Sequence, residues 1–295
     1  MLAAIGVAAQ CALAKDAVAT DGAWLDPELV RWRQASYHGR KLLVSLEAEV
    51  EISFPSLDEA RASLEEAREV EALQPSPGRV VAVELESRVL GGQSTTVLHA
   101  DTGDAAVLQR RQVRRKKNKV RFKTLRFAED GVEIRFHDPA PGEPLHQPEA
   151  WSRLTTRFAP HPPFAEDDLE VTEPTALFYI LAAAPLAEPG DVIRIPAWSK
   201  ERLVMMELEA SGWVQIEVDY RRDGEAVTGA VPALQVLVDA KDLDPNSSES
   251  TLELMGLHGA IEVFLDAETR APLLVSGRVP YVGRAHVHLD SLTTD

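Results

Sequence analysis

The chain has 295 residues, 45% hydrophobic and 26% charged, which excludes a disordered chain and leaves room for a sizeable core. Its formal charge of −16 argues against general nucleic-acid affinity, because counterion release needs many cations facing phosphate. The chain opens on an uncharged run with no acid or base before Lys15, ending in Ala12-Leu13-Ala14. Such a run is shorter than the roughly 20 apolar residues that span a bilayer, and it fits a signal-peptide core of about 7–15 with a small-x-small cleavage site. The expectation is therefore residues 1–14 as a signal peptide, with a buried N-terminal helix as the alternative. Cys11 makes a poor lipidation site because Gln10 before it is not small, and cleavage after Ala14 leaves a mature chain without cysteine. No later segment is long and apolar enough for a membrane helix, so the mature chain is expected to have no transmembrane segment.

Further along, strand-like patches recur between turn signals, at Leu42 to Phe54, Arg79 to Val89, Arg121 to Phe127, Val132 to His137, Arg202 to Leu208 and Trp213 to Tyr220. They continue at Leu234 to Val238, Ile261 to Leu265, Leu273 to Val275 and Arg284 to Leu289. Only two segments read as helical. The first opens on a capping-box pattern, Ser56 with Glu59, carries Leu57, Ala60, Leu64 and Ala67 at helical spacing, and stops at Gln74-Pro75-Ser76-Pro77-Gly78. The second follows Pro174 and is apolar on every side from Ala176 to Ala182, so it should be buried against the concave face of a curved sheet. The fold class expected is mainly β, an antiparallel curved sheet or half-barrel with one or two helices.

The hairpin around Asp130-Gly131 can be built in detail. A type I′ turn there, with Gly131 at positive φ, would place Phe127 opposite Ile134 and Leu125 opposite Phe136. Before Leu125 the apolar parity switches to Val120 and Phe122, which calls for a bulge near Thr124. The same hairpin is the chain's main electrostatic oddity: from Arg110 to Arg126 there are ten cations and no acid. Lys117, Lys119, Arg121 and Lys123 alternate with the apolar positions and are candidates for an anionic surface such as lipid headgroups. The competing readings are a lysine-protected edge strand and neutralisation by the acidic remainder.

The stretch 138–163 is rich in proline and serves either as a surface crossing within one β-rich domain, 15–295, or as a linker between two lobes. Trp151 to Phe158 within it retains strand character.

Thr124-Leu125-Arg126-Phe127, Asp130-Gly131-Val132, Pro141-Gly142-Glu143, Leu177-Phe178-Tyr179 and Pro189-Gly190-Asp191 follow one another in an order that carries a resemblance. So do Phe264-Leu265-Asp266, Arg270-Ala271-Pro272-Leu273 and Val282-Gly283 at the end of the chain. From Thr124 to Leu292 the chain resembles an uncharacterised family of bacterial envelope proteins, catalogued as domain of unknown function 3108. The resemblance implies a secreted, antiparallel β architecture similar to the half-barrels of lipoprotein carriers. It brings no catalytic residues.

The chain has no G-x-S-x-G elbow, phosphate-binding glycine loop, cysteine metal site or H-E-x-x-H helix, so no enzyme activity and no cofactor are expected. Two constellations are candidate metal sites. His286, His288 and Asp290 share one face of a strand, and Asp242, Asp244, Asn246 and Glu253 mimic a calcium loop in which Ser247 replaces the glycine. The wet face of a half-buried strand is the competing account of the first. The function expected is that of an exported, periplasmic protein binding an amphipathic or lipid-like ligand at an anionic envelope surface. The alternatives are a structural or interaction module of the envelope and, behind it, a hydrolase with an unrecognised site.

Overall fold

A computed structural model describes residues 16–18, 23–41, 44–117, 119–162, 170–243 and 252–295. The expected signal segment and its cleavage site lie outside them. Strands make up 62% of the chain and helices 9%, so the protein is mainly β. Among the described residues the strands are β1 (Asp16–Val18), β2 (Trp32–Lys41), β3 (Val44–Ser53), β4 (Val80–Val89), β5 (Gly92–Asp101), β6 (Val107–Lys116), β7 (Lys119–Ala128) and β8 (Gly131–Asp138). They continue as β9 (Arg153–Pro160), β10 (Val192–Ser199), β11 (Arg202–Arg222), β12 (Glu225–Asp242), β13 (Glu253–Leu254), β14 (Leu257–Asp266), β15 (Pro272–Val279) and β16 (Gly283–Thr294). The helices are α1 (Leu57–Ser63) and α2 (Leu177–Ala183).

All the strands join one curved sheet in the order β1-β10-β11-β12-β14-β15-β16-β2-β3-β4-β5-β6-β7-β8-β9, with β13 on β14. Parallel pairing of Arg221 and Arg222 with Ser291 and Leu292 adds a β11–β16 contact, so β11, β12, β14, β15 and β16 form a ring of pairings. One apolar cluster runs along the concave side from Trp32 and Val50 through Leu125, Ile134 and Val204 to Leu292. The proline-rich stretch 138–163 contains β9, which pairs along the whole of β8 and ends the sheet.

Three details of the basic hairpin differ from the expectation. Ala128 pairs with Gly131, so the turn residues are Glu129 and Asp130, Phe127 faces Val132 and Leu125 faces Ile134. Gly131 lies outside the left-handed region, and its glycine is required for another reason: a Cβ there would collide with the Ala159 carbonyl oxygen and the Phe158 ring. The Asp-Gly type I′ turn of this chain is Asp223-Gly224, with φ of 51° and 88°, joining the two longest strands, β11 and β12. No bulge occurs near Thr124 either, since the pairing of β7 with β6 and β8 runs without a shift. The parity switch has a different cause. Both faces of β7 are covered, Leu125 and Phe127 by the concave core, Phe122, Thr124 and Arg126 by a strap on the convex side.

That strap is α1 and the chain after it. Ser56 caps α1 in a reciprocal capping box with Glu59, as its sequence demands. The helix nevertheless ends at Ser63, well before the prolines. Sheet side chains take the strap's amides: Gln109 Oε1 accepts from Glu65 N at 2.7 Å, and Glu133 Oε2 accepts from Arg68 N at 2.9 Å and Glu69 N at 2.7 Å. His99 Nε2 meets Ser63 Oγ at 2.9 Å at the end of α1. Burial, aided by the Arg111 and Arg126 charges, pushes this imidazole down to about 4 from its ordinary 6.5. Between those values the unfolded chain binds the proton and the folded one does not. Stability is therefore complete above about 6.5 and is lost as pH falls toward 4. On the order of 3 kcal/mol of acid sensitivity should vanish in His99→Gln. Urea unfolding of both proteins across that range checks it, and parallel curves would refute it.

The second helix is buried on every side, as its composition requires. Phe178 packs on Tyr37 and Tyr179 on Phe54, at ring separations of 6.3 and 6.2 Å, and the Tyr179 hydroxyl donates to the Thr102 carbonyl at 2.6 Å.

Candidate functional site

The basic hairpin is not an edge strand, because β7 lies between β6 and β8. On its concave face the directly opposed residues are Lys116 with Lys119, Arg114 with Arg121, Gln112 with Lys123, and Arg110 with Leu125. From Arg114 and Arg121 inward that row forms one wall of a groove of about 720 Å³, a volume within the range of small-molecule sites. Leu125, Phe136, Pro174 and Trp198 provide its apolar surface, and the β10–β11 turn, Lys200-Glu201, stands on the opposite bank. A smaller cavity of about 270 Å³ adjoins it across Arg110, Gln112 and Arg114.

The ten cations divide by depth. Inside, each groove-lining cation of β6 has a carboxylate partner: Arg110 binds Glu173 at 3.1 Å and Arg114 binds Glu253 at 3.3 Å. Lys123 Nζ donates to Glu201 at 2.6 Å, and Glu201 also takes Arg157 of β9. Burial lowers the Lys123 ammonium pKa against the raising effect of Glu201. For Glu201, burial raises the carboxyl pKa, but hydrogen bonds from Lys123 and Arg157 outweigh it and hold the group below its ordinary value. On the convex side Arg111 pairs with Glu65, and Arg126 donates to the carbonyls of Leu108 and Leu73. Toward the hairpin tip, Arg115, Lys116, Lys117, Lys119 and Arg121 have no carboxylate partner among the described residues.

Of the four cations expected to form an anionic-surface site, Arg121 and Lys123 line the groove, Lys119 opposes Lys116 beside its mouth, and Lys117 occupies the exposed turn with φ of 52°. Lys123 departs from expectation: it is half-buried and already paired. The sequence reading missed Arg110, Arg114, Phe136, Arg157, Glu173, Trp198 and Glu201. A cue existed for the last two, since Ile193, Ile195 and Ala197 alternate as in a strand running up to a turn, but Pro196 interrupts the pattern. The structure tolerates Pro196 because its missing N–H lies on the side away from β11, where Thr172 uses only the Pro196 carbonyl, at 2.9 Å, and the Trp198 amide, at 2.8 Å.

Among the described residues the candidate metal ligands do not converge. His286, His288 and Asp290 do share the wet face of β16, but His286 Nδ1 bonds Ser276 Oγ at 2.6 Å and Asp290 lies 3.4 Å from His38 Nδ1. Asp242 pairs with Arg202 at 3.1 Å and Glu253 with Arg114, while Asp244 and Asn246 lie outside the described residues. Among the described residues no three His, Cys, Asp or Glu side chains are grouped to hold a metal. No helix among them is long and apolar enough to cross a membrane.

Comparison of the chain with family models, curated proteins and solved structures finds no match.

Proposed function

We propose that the concave groove binds an anionic amphiphile, its tail on the Leu125, Pro174 and Trp198 surface and its headgroup on the cationic wall of β6 and β7. One observation carries the reading: Lys116 faces Lys119 directly across a strand pair, and Arg121, also without a carboxylate partner among the described residues, follows on the same face. Like charges so placed work against folding, and an anion held between them would offset that cost. The internal pairing fixes where the anion enters, because the cations deeper in the groove are already neutralised and those toward the hairpin tip are not. The same pairing favours binding over catalysis, since Glu173, Glu201 and Glu253 are each tied to a cation and are not free to act as acid or base. With the resemblance to envelope proteins and the signal-like N-terminus, the reading is of an exported periplasmic carrier of a lipid-like molecule.

The experiment is calorimetric titration with dodecyl phosphate below its micellar concentration. Wild type should bind with a negative heat-capacity change, the mark of buried apolar surface, and more weakly as salt rises. The triple variant Lys116→Glu, Lys119→Glu, Arg121→Glu should bind about 100-fold less tightly, at roughly 1 kcal/mol per cation removed. Its fold should survive, because the carboxylate introduced at position 121 would face Arg114. Equal affinity in both proteins, or no binding to wild type, would sink the reading in favour of a structural module of the envelope.

A further inference from the structure

Glu201 occupies an unusual position. It and Lys200 are the two turn residues between β10 and β11, and both are non-glycine residues in the left-handed region, with φ of 64° for Glu201 and 48° for Lys200. Ser199 pairs with Arg202, so the two form the two-residue type I′ loop of a hairpin, which imposes this backbone at some cost for non-glycine side chains. From that turn the Glu201 carboxylate contacts Lys123 and Arg157. They reach across the groove, from the hairpin beside one end of the sheet to β7 and β9 at the other.

The two cations do not depend on Glu201 for their placement. The Lys123 ammonium lies over the Phe136 ring at 5.4 Å from its centre, and the Arg157 guanidinium lies over the same ring at 5.9 Å. Each is attracted to the ring, and β7 and β9 flank β8, which carries Phe136, by continuous pairing. A ready-made seat for one anion therefore exists inside the groove. Glu201 fills it from a strained turn while keeping 36% of its side chain exposed.

We propose that Lys123, Arg157 and Phe136 form an inner anion subsite, in which Glu201 is a resident carboxylate that an incoming phosphate or carboxylate displaces. The inference rests on the groove reading and deepens it: anionic ligands first meet the unpaired mouth and then exchange for Glu201. Glu201 keeps contact with solvent, so exchange is within reach of a ligand already concentrated by the mouth.

The test titrates wild type, Glu201→Gln and the double variant Glu201→Gln, Lys123→Met with dodecyl phosphate and with inorganic phosphate. Removing the competitor should tighten dodecyl phosphate binding at least tenfold, and the double variant should lose that gain. If Glu201→Gln melts too early to titrate, Glu201→Gly replaces it, since glycine relieves the left-handed backbone while deleting the carboxylate. Wild type that binds while both carboxylate-free variants bind no more tightly overturns the resident-anion proposal and leaves the groove reading standing. Inorganic phosphate gaining as much as dodecyl phosphate, at equal affinity, supports the subsite but assigns it to a free anion and overturns the amphiphile. Absence of binding of either probe to every protein overturns both.

Discussion

Replacing Arg270 with methionine should destabilise the protein by at least about 3 kcal/mol, because four helix-end carbonyls lose their donor at once. The helix α2 has seven residues, and the carbonyls of its last turn find no amide one turn on. Ile180 O accepts from Ala184 N and Ala183 O from Asp26 N. The rest fall to one guanidinium. Arg270 Nε donates to Ala182 O at 2.7 Å, one terminal nitrogen to Leu186 O at 3.1 Å, and the other to Leu181 O at 3.0 Å and Ala184 O at 2.7 Å. The cation also sits at the negative end of the helix dipole. Its own backbone is left-handed, with φ of 59°, and is held there by the turn in which Asp266 Oδ1 accepts from Glu268 N and Thr269 N. Methionine keeps the apolar stem and removes only the donors, so the cost reports on the carbonyls. Urea unfolding measures it, and a change below about 1 kcal/mol would show that water satisfies them instead.

The same helix shows what the sequence could and could not reveal. Its apolar circumference announced burial, because no solvent face was left, and the capping box at Ser56 announced α1 with equal clarity. Arg270 lies almost ninety residues away, and nothing local says that it will find those carbonyls. Ten strand patches were legible from β-branched alternation, yet β2, β5, β6 and β10 were not. In β6 the reason is plain: Gln109, Arg110, Arg111 and Gln112 read as solvated, whereas the fold sets each against a partner, Glu65 N, Glu173, Glu65 and Thr96. Two-sided coverage removes the polar-out rule on which strand reading depends.

The groove was legible only as a charge anomaly. The sequence showed ten cations in one hairpin but not their division into paired and unpaired sets, since the partners come from residues 65, 173, 201 and 253. Pairing register, set by long-range topology, decides which cations oppose one another, and a local turn motif placed that register two residues away from the observed one. Asp130-Gly131 and Asp223-Gly224 are identical dipeptides; the first gives way because β9 packs against Gly131, and the second has open space around Gly224.

The convex side supplies the other large effect: Arg135→Leu should cost about 3–5 kcal/mol, the usual penalty for leaving a buried charge without its partner. Glu133 has no exposed surface and Arg135 only 4%. Arg135 Nε donates to Glu133 Oε1 at 2.6 Å, and its other nitrogens reach Glu65 and the Glu66 carbonyl, so one guanidinium joins sheet and strap. Burial alone would raise the Glu133 carboxyl, but the amides of Glu69 and Arg68 and the Arg135 charge outweigh it and hold the group below its ordinary value. Removing the arginine leaves the carboxylate with two amide donors and a strap without its anchor. A second variant separates charge from anchoring. In Glu133→Leu, Arg135→Leu no buried carboxylate remains, so stability should recover partway, stopping about 2 kcal/mol short of wild type because the Arg68 and Glu69 amides are left unmet. A double variant no more stable than Arg135→Leu would mean that the amide contacts, and not the ion pair, hold the strap to the sheet.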